Sequence, residues 1–306
     1  MATIQRVKTI SEFHRTRNLP PPEHPLISVV NYADVRLTQD DKGNSWVYDF
    51  FSISLKRNIG GKIRYGQLEY DFDEGIMFFI APGQVFSIER DGVVTGERSG
   101  WMLMIHPDFL WNTSLAKSIK QYEYFSYTTH EALFVSKKEE DTLKGVIENI
   151  RQEYHANMDK YSQNIIISQI ETLLNYSERF YNRQFLTRKK ANHQLLDRLE
   201  EKLTDYFKSH ELISKGLPTV QYIAEALNAS PKYLSSVLKM LTGQTAQQHI
   251  HEKLLERAKE KLTISEVSIS EIAYELGFEH PQSFSKLFKT KTGLSPLEFR
   301  QSYQSN

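Results

Sequence analysis

The apolar positions change their period part-way along the chain. From Ile27 to Leu110 they come in short runs broken by turn-forming residues, the pattern of strands, not helices. The predicted strands are Ile27–Tyr32, Trp46–Leu55, Lys62–Phe72, Ile76–Ile80, Val85–Glu89 and Trp101–Ile105. Gly43-Asn44, Gly60-Gly61, Asp73-Glu74-Gly75, Pro82-Gly83 and Asp91-Gly92 fall between them and supply residues that tolerate positive φ or preset a turn. Many short strands at this spacing predict a sandwich or barrel. Ahead of them, Ser11 to Pro25 reads as a polar arm, because Leu19-Pro20-Pro21-Pro22 cannot join a sheet ladder and favours an extended, solvated leader or a lid over the barrel mouth.

Two helical patterns follow. Leu143, Val146, Ile147, Ile150 and Tyr154 recur at spacings of three and four, one apolar stripe on one helix. Between Asn164 and Arg183, Ile165, Ile166, Ile167, Ile170, Leu173, Leu174, Tyr176 and Phe180 cover more than one face. That surplus fits either an intramolecular core or a homodimer contact through the helices of residues 143–183. The apolar pattern then lapses at Thr187-Arg188-Lys189-Lys190-Ala191-Asn192, which places a domain boundary between residues 187 and 188. A length of 306 residues suits two domains, since the typical domain runs to about 100–150 residues.

Residues 193–306 read as helical throughout and contain an internal repeat. Ile223-Ala224 and Leu227 recur 49 residues later as Ile272-Ala273 and Leu276. Pro231, Ser235, Lys239, Thr242 and Gly243 recur 50 residues later as Pro281, Ser285, Lys289, Thr292 and Gly293. Each copy reads as a short helix, a turn, and a second helix opened by Pro at its first position and closed by Gly. This is the helix-turn-helix layout, predicted at about residues 219–243 and 269–293, with a linker helix at about 246–262 carrying Ile250, Leu254, Leu255, Ala258 and Leu262 on one stripe. With Leu234, Val237, Leu238 and Leu241 turned inward, the first second-helix leaves Lys232, Ser235, Ser236 and Lys239 outside; with Phe284, Leu287 and Phe288 inward, the other leaves Gln282, Ser283, Ser285, Lys286 and Lys289. Hydroxyls, an amide and lysines without a carboxylate are what phosphates and base edges require.

Composition narrows the chemistry. The 38 basic and 38 acidic residues balance, but residues 188–306 hold 17 basic and 14 acidic against 21 and 24 in the first half. The absence of cysteine excludes disulfides, thiolate metal sites and cysteine nucleophiles and suits a reducing cytoplasm. No run of about 18 apolar residues offers a membrane span, and Met1-Ala2-Thr3-Ile4-Gln5-Arg6 does not open a secretion signal, so a cytoplasmic protein without a membrane partner is expected. His106 stands alone in the strand region, and Asp108 beside it does not complete a metal site. No metal, catalytic residue or cofactor is therefore expected, and there is neither Gly-x-Ser-x-Gly nor a phosphate-cradling Gly-rich loop.

Ile269-Ser270-Glu271-Ile272-Ala273-Tyr274-Glu275-Leu276-Gly277-Phe278, then Phe284-Ser285-Lys286-Leu287-Phe288-Lys289 and Thr292-Gly293-Leu294-Ser295-Pro296-Leu297-Glu298-Phe299-Arg300, resemble the C-terminal signature of AraC/XylS-type transcription regulators. The resemblance covers residues 195–303; in the first copy Ser236 and Leu238 stand where the family often carries Arg and Phe. It implies double-stranded DNA as partner, with Lys232, Ser235, Ser236, Gln282, Ser283 and Lys286 at base-contacting positions and Lys239 and Lys289 toward phosphates. RNA polymerase follows as a further partner of such a regulator. Gly75 to Gln84 also resembles a hairpin of small cupin-like barrels. The expected architecture is thus α+β and multidomain: a cupin-like effector-sensing or dimerisation barrel with two following helices over residues 1–187, and an all-α DNA-binding domain over 188–306. Tyr48, Phe50, Arg64, Tyr70 and His106 are candidates to line a small-molecule effector site in the barrel. Two alternatives remain open at this point, a constitutive regulator whose barrel only dimerises and a cupin-type enzyme with a helical accessory domain.

Overall fold

A computed structural model describes residues 4–36, 45–58, 64–65, 68–69, 75–87, 97–127, 131–156, 159–187, 189–264 and 267–304. The chain divides into two compact units, Met1–Thr187 and Arg188–Asn306.

The N-terminal unit opens with β1 (Ile4–Val7) and α1 (Ile10–Thr16), followed by β2 (Ile27–Asn31), β3 (Ser45–Tyr48), β4 (Phe51–Arg57), β5 (Arg64–Tyr65), β6 (Leu68–Glu69), β7 (Gly75–Ile80), β8 (Val85–Ser87) and β9 (Ser99–Ile105). After α2 (Leu115–Ser118) and β10 (Leu133–Val135) it ends in the long helices α3 (Lys137–His155) and α4 (Ser162–Thr187). The strands form a three-stranded sheet β1-β3-β8, a five-stranded sheet β10-β7-β4-β9-β2 and the ribbon β5-β6. Among the described residues no pairing joins the two larger sheets into a closed ring.

Register explains the two faces of the larger sheet, because side chains alternate along each strand. Ser52 stands opposite Ile80 and Met104, while Ile53 stands opposite Phe79 and Leu103. Ile80, Met102 and Met104 join Trp46, Tyr48 and Phe86 of the smaller sheet in one core, which Val7, Ile10 and Phe13 complete. Phe79, from the opposite set, meets the rings of Tyr124, Phe125 and Tyr181.

The arm expected to be extended and solvated begins instead as a helix packed into the core. Thr9 caps α1 by accepting from the Glu12 amide at 3.1 Å, and Glu12 accepts in return from the Lys8 amide at 2.7 Å. Ile10 and Phe13 are buried, as are His14 and Arg17. The prolines begin only after the helix has ended, so their constraint never reaches it. His14 ties the two parts: Nδ1 donates to the Pro20 carbonyl, and Nε2 accepts from Ser28 Oγ at 2.9 Å.

The stripe of α3 is buried along its length at Leu143, Val146, Ile147, Ile150 and Tyr154. On α4, Ile166, Ile167, Ile170, Leu173, Leu174 and Phe180 are buried while Ile165 is exposed. Gln184 of α4 satisfies β10 from the side, its Oε1 accepting from the Phe134 amide at 2.8 Å and its Nε2 donating to the Ala132 carbonyl at 3.2 Å.

The C-terminal unit is all helix: α5 (Lys189–Lys208), α6 (Glu211–Lys215), α7 (Val220–Ala226), α8 (Pro231–Thr242), α9 (Ala246–Ile264), α10 (Ile269–Glu275), α11 (Pro281–Thr292) and α12 (Pro296–Gln304). Lys189, Lys190 and Ala191 of the basic stretch are themselves helical, since Lys and Ala are good helix formers and a lapse of apolar residues does not interrupt a helix. Ile250, Leu254, Ala258 and Leu262 of α9 are buried and form one core with Leu234 and Leu238 of α8 and with Ile272, Phe284 and Phe288 from α10 and α11.

Candidate nucleic-acid interface

Each predicted reader is built by the same local devices. In the first, Thr219 caps α7 by accepting from the Tyr222 amide, Asn228 turns the chain at φ 54°, and Ser230 caps α8 by accepting from the Tyr233 amide. In the second, Ser268 and Glu271 form a capping box on α10, Gly277 turns the chain at φ 80°, and α11 starts at Pro281. Asn228 and Gly277 are equivalent positions of the repeat, both left-handed, and Asn and Gly adopt that conformation at least cost. Both second helices end on a left-handed glycine, Gly243 at φ 78° and Gly293 at φ 80°, whose amides donate to the carbonyls of Lys239 and Lys289.

The glycine at the second turn is also dictated by space. A Cβ on Gly277 would stand 2.3 Å from the carbonyl oxygen of Leu212 and 2.9 Å from Cα of Gly216, so the end of α6 rests directly on the turn that aims α11.

Packing then fixes what faces outward. On α8, Tyr233, Leu234, Val237 and Leu238 are buried, Lys232 and Lys239 are exposed, and Ser235 and Ser236 are half-buried. On α11, Phe284 and Phe288 are buried, and Gln282, Ser283, Lys286 and Lys289 are exposed. Neither helix contains an Asp or Glu. The helix between them differs in this respect: α9 carries Glu256 and Glu260, which pair with Lys253 and Arg257. Among the helices of the C-terminal unit, α8 and α11 alone carry no Asp or Glu in their sequence. Thr242 Oγ1, at the end of α8, lies 2.9 Å from His249 Nε2 of α9, and burial holds that imidazole below its ordinary pKa.

A family model described as a helix-turn-helix domain matches residues 223–302. The chain is similar to the uncharacterized transcriptional regulatory protein YesN of Bacillus subtilis, 42% identical over 78 residues, which is 25% of this chain and 21% of that one. It is also similar to the HTH-type transcriptional activator RhaS of Escherichia coli, 37% identical over 79 residues, 26% of this chain and 28% of that one. Residues 223–302 are an AraC-type helix-turn-helix domain. Among solved structures, the C-terminal domain of AraT, a response regulator from Geobacillus stearothermophilus, is similar at 30% identity; the match covers 35% of this chain and 84% of that one, with a TM-score of 0.31. The chain spans about a quarter of the length of these two curated relatives.

Within the AraC-type domain all eight predicted contact residues lie on the two second helices, and a further exposed lysine of α11, Lys291, lies outside the predicted set. The Pro-to-Gly span of the repeat contains it, so the signal was available. Tyr233, absent from the predicted inward set, is buried on α8.

Three of the five effector candidates, Tyr48, Phe50 and His106, have described side chains. Tyr48 and Phe50 are stacked on each other at 4.9 Å between ring centroids, and Phe13 of α1 meets both edge-on; they fill the space between the sheets. His106 follows β9 and caps the next turn, its Nδ1 accepting from the Asp108 amide at 3.2 Å. Arg64 lies on β5, and Tyr70 lies outside the described residues. Among the described residues no three His, Asp or Glu side chains are placed to hold a metal ion, and no helix is long and apolar enough to cross a membrane.

Proposed function

We propose that the chain is a sequence-specific DNA-binding transcription regulator, acting in the cytoplasm, whose helices α8 and α11 enter the major groove on one face of double-stranded DNA. The observation that carries the reading is the duplication itself: two helices opened by Pro, closed by a left-handed Gly, free of carboxylates and joined by α9. With 19 residues, α9 is about 28 Å long, of the order of the roughly 34 Å between successive major-groove exposures on one face of the duplex.

In this reading Lys232, Ser235, Ser236, Gln282, Ser283 and Lys286 reach base edges, where an ammonium suits guanine O6 and N7 and an amide suits adenine. Lys239 and Lys289 reach phosphates, which set position and affinity but carry no sequence information. The N-terminal unit biases the placement of the two readers through a small-molecule effector, a dimer contact or both, and the bound protein recruits or blocks RNA polymerase. Such a switch requires an effector with different affinities for two states of the protein.

Paired substitutions test the assignment on a DNA site selected from a random library by the full-length chain. Lys286→Ala should cost about 1–3 kcal/mol on that site and relax its sequence at one position, whereas Lys289→Ala should weaken all sequences alike and reduce the salt slope by about one. Equal, sequence-independent losses from both would overturn the placement of Lys286 at a base.

A further inference from the structure

A cavity of about 270 Å³ lies beside β7 of the five-stranded sheet, bounded by β7, β8, the Tyr124–Tyr127 segment, Ala132 and Tyr181 of α4. Neither Tyr48 nor Phe50 lines it. Its walls are aromatic: Phe79 and Tyr124 lie 4.5 Å apart between centroids, Tyr124 and Tyr181 stack at 5.3 Å with 16° between planes, and Tyr127 meets Tyr181 edge-on at 5.3 Å.

Three of the polar side chains on these walls are engaged by the protein, and Ser87 and Ser126 add hydroxyls to the lining. Tyr124 Oη donates to the Leu174 carbonyl at 2.9 Å, and Tyr181 Oη donates to the Glu131 carbonyl at 3.2 Å. Gln84 is engaged at both ends, its Oε1 accepting from the Ala81 amide at 3.0 Å and its Nε2 donating to the Tyr127 carbonyl at 3.1 Å. Burial raises the Tyr124 phenol pKa well above its ordinary value, which keeps that hydroxyl a donor.

We propose that this cavity binds a small, flat molecule of one or two rings that carries a polar substituent. The volume lies just below the roughly 300–1,000 Å³ of ordinary ligand pockets, so the guest is small. Ring faces at these separations favour a planar guest in offset or edge-to-face contact. The Ser87 and Ser126 hydroxyls suit one polar substituent on the ring, whereas a polyol offers no flat face to lie against the aromatic wall. Tyr181 belongs to α4, the last helix of the N-terminal unit, which gives a guest direct contact with the element leading to the AraC-type domain. As an effector site the cavity rests on the regulator reading; as a binding site it does not.

The test is equilibrium dialysis of the full-length chain against 2-naphthol, with glucose as the polar control. The expected result is saturable binding of one 2-naphthol per chain and none of glucose. Val85 sits at the rim and is 55% exposed, so Val85→Trp covers the mouth without disturbing the core; Ala132→Leu fills the cavity from a buried position. Each should weaken 2-naphthol binding at least tenfold, Val85→Trp with an unchanged melting temperature. Absence of saturable 2-naphthol binding, tighter binding of glucose, or undiminished binding in both variants would overturn the assignment. DNA binding by the same preparations keeps the two readings apart. A DNA preference without 2-naphthol binding removes the cavity and leaves the regulator; 2-naphthol binding lost in Val85→Trp, without any DNA preference, does the reverse.

Discussion

The turn at Gly277 gives the sharpest stability prediction. Gly277→Ala introduces two separate costs. The left-handed backbone, φ 80°, penalises an L side chain by about 1–2 kcal/mol, partly offset by about 0.4–1 kcal/mol from a less flexible unfolded chain. The new methyl also lands 2.3 Å from the Leu212 carbonyl oxygen; both partners are backbone, and relieving such overpacking costs about 1–3 kcal/mol. Gly243→Ala is the internal control, because Gly243 has nearly the same φ, 78°, and its added Cβ meets nothing within 4 Å. The difference between the two variants should therefore be about 1–3 kcal/mol, with Gly277→Ala the less stable. All three tryptophans, Trp46, Trp101 and Trp111, belong to the N-terminal unit. Urea unfolding followed by far-ultraviolet ellipticity should thus show the loss while tryptophan fluorescence keeps its midpoint. Equal effects of the two substitutions, within about 0.5 kcal/mol, would refute the claim that the end of α6 presses on this turn.

Three further outcomes can be checked on the full-length chain. Phe288→Ala removes a fully buried ring that packs on Phe284 and Phe299 and should cost about 3–5 kcal/mol in the ellipticity transition. Gln184→Leu leaves the buried Phe134 amide without its acceptor, and should lower stability by about 1–3 kcal/mol in the fluorescence transition. Burial lowers the His14 pKa below its ordinary value of 6.5, so the unfolded chain takes up a proton there before the folded one does. The stability from His14 is complete above the unfolded pKa and is lost as pH falls through that value toward the folded pKa. The fluorescence midpoint should drop between about pH 7.5 and pH 5.5 and drop less in His14→Gln; an equal drop in the variant would contradict the role of this ring.

What was legible in the sequence is what is local. The repeat could be read because Pro231 and Pro281, Gly243 and Gly293, and the apolar positions between them act over one or two helical turns. The same holds for the stripe of α3. Thr9-Ile10-Ser11-Glu12 carries the Thr-x-x-Glu pattern of a helix start, yet the proline run beyond it dominated the reading of the arm. Which strand residues line the space between the sheets was not legible for a different reason: the facing of a residue such as Tyr48 depends on register, and a slip by one residue reverses every side chain. The aromatic cavity was out of reach of local pattern, since Phe79, Tyr124 and Tyr181 come from three elements and meet only when α4 packs on the sheet. The contact of Gly277 with Leu212 and Gly216 is likewise a long-range feature, though the glycine that it requires is visible in the sequence.

The measurement that bears most directly on the central claim is fluorescence anisotropy of the full-length chain on DNA fragments from upstream of its own and neighbouring genes, against random DNA of equal length, across a salt series. The account predicts at least one fragment bound in preference to random DNA, with an affinity that falls steeply as salt rises because phosphate contacts release counterions, and with the preference lost in Lys286→Ala. Binding to no fragment at low salt, or equal binding to every sequence with and without Lys286, would contradict it.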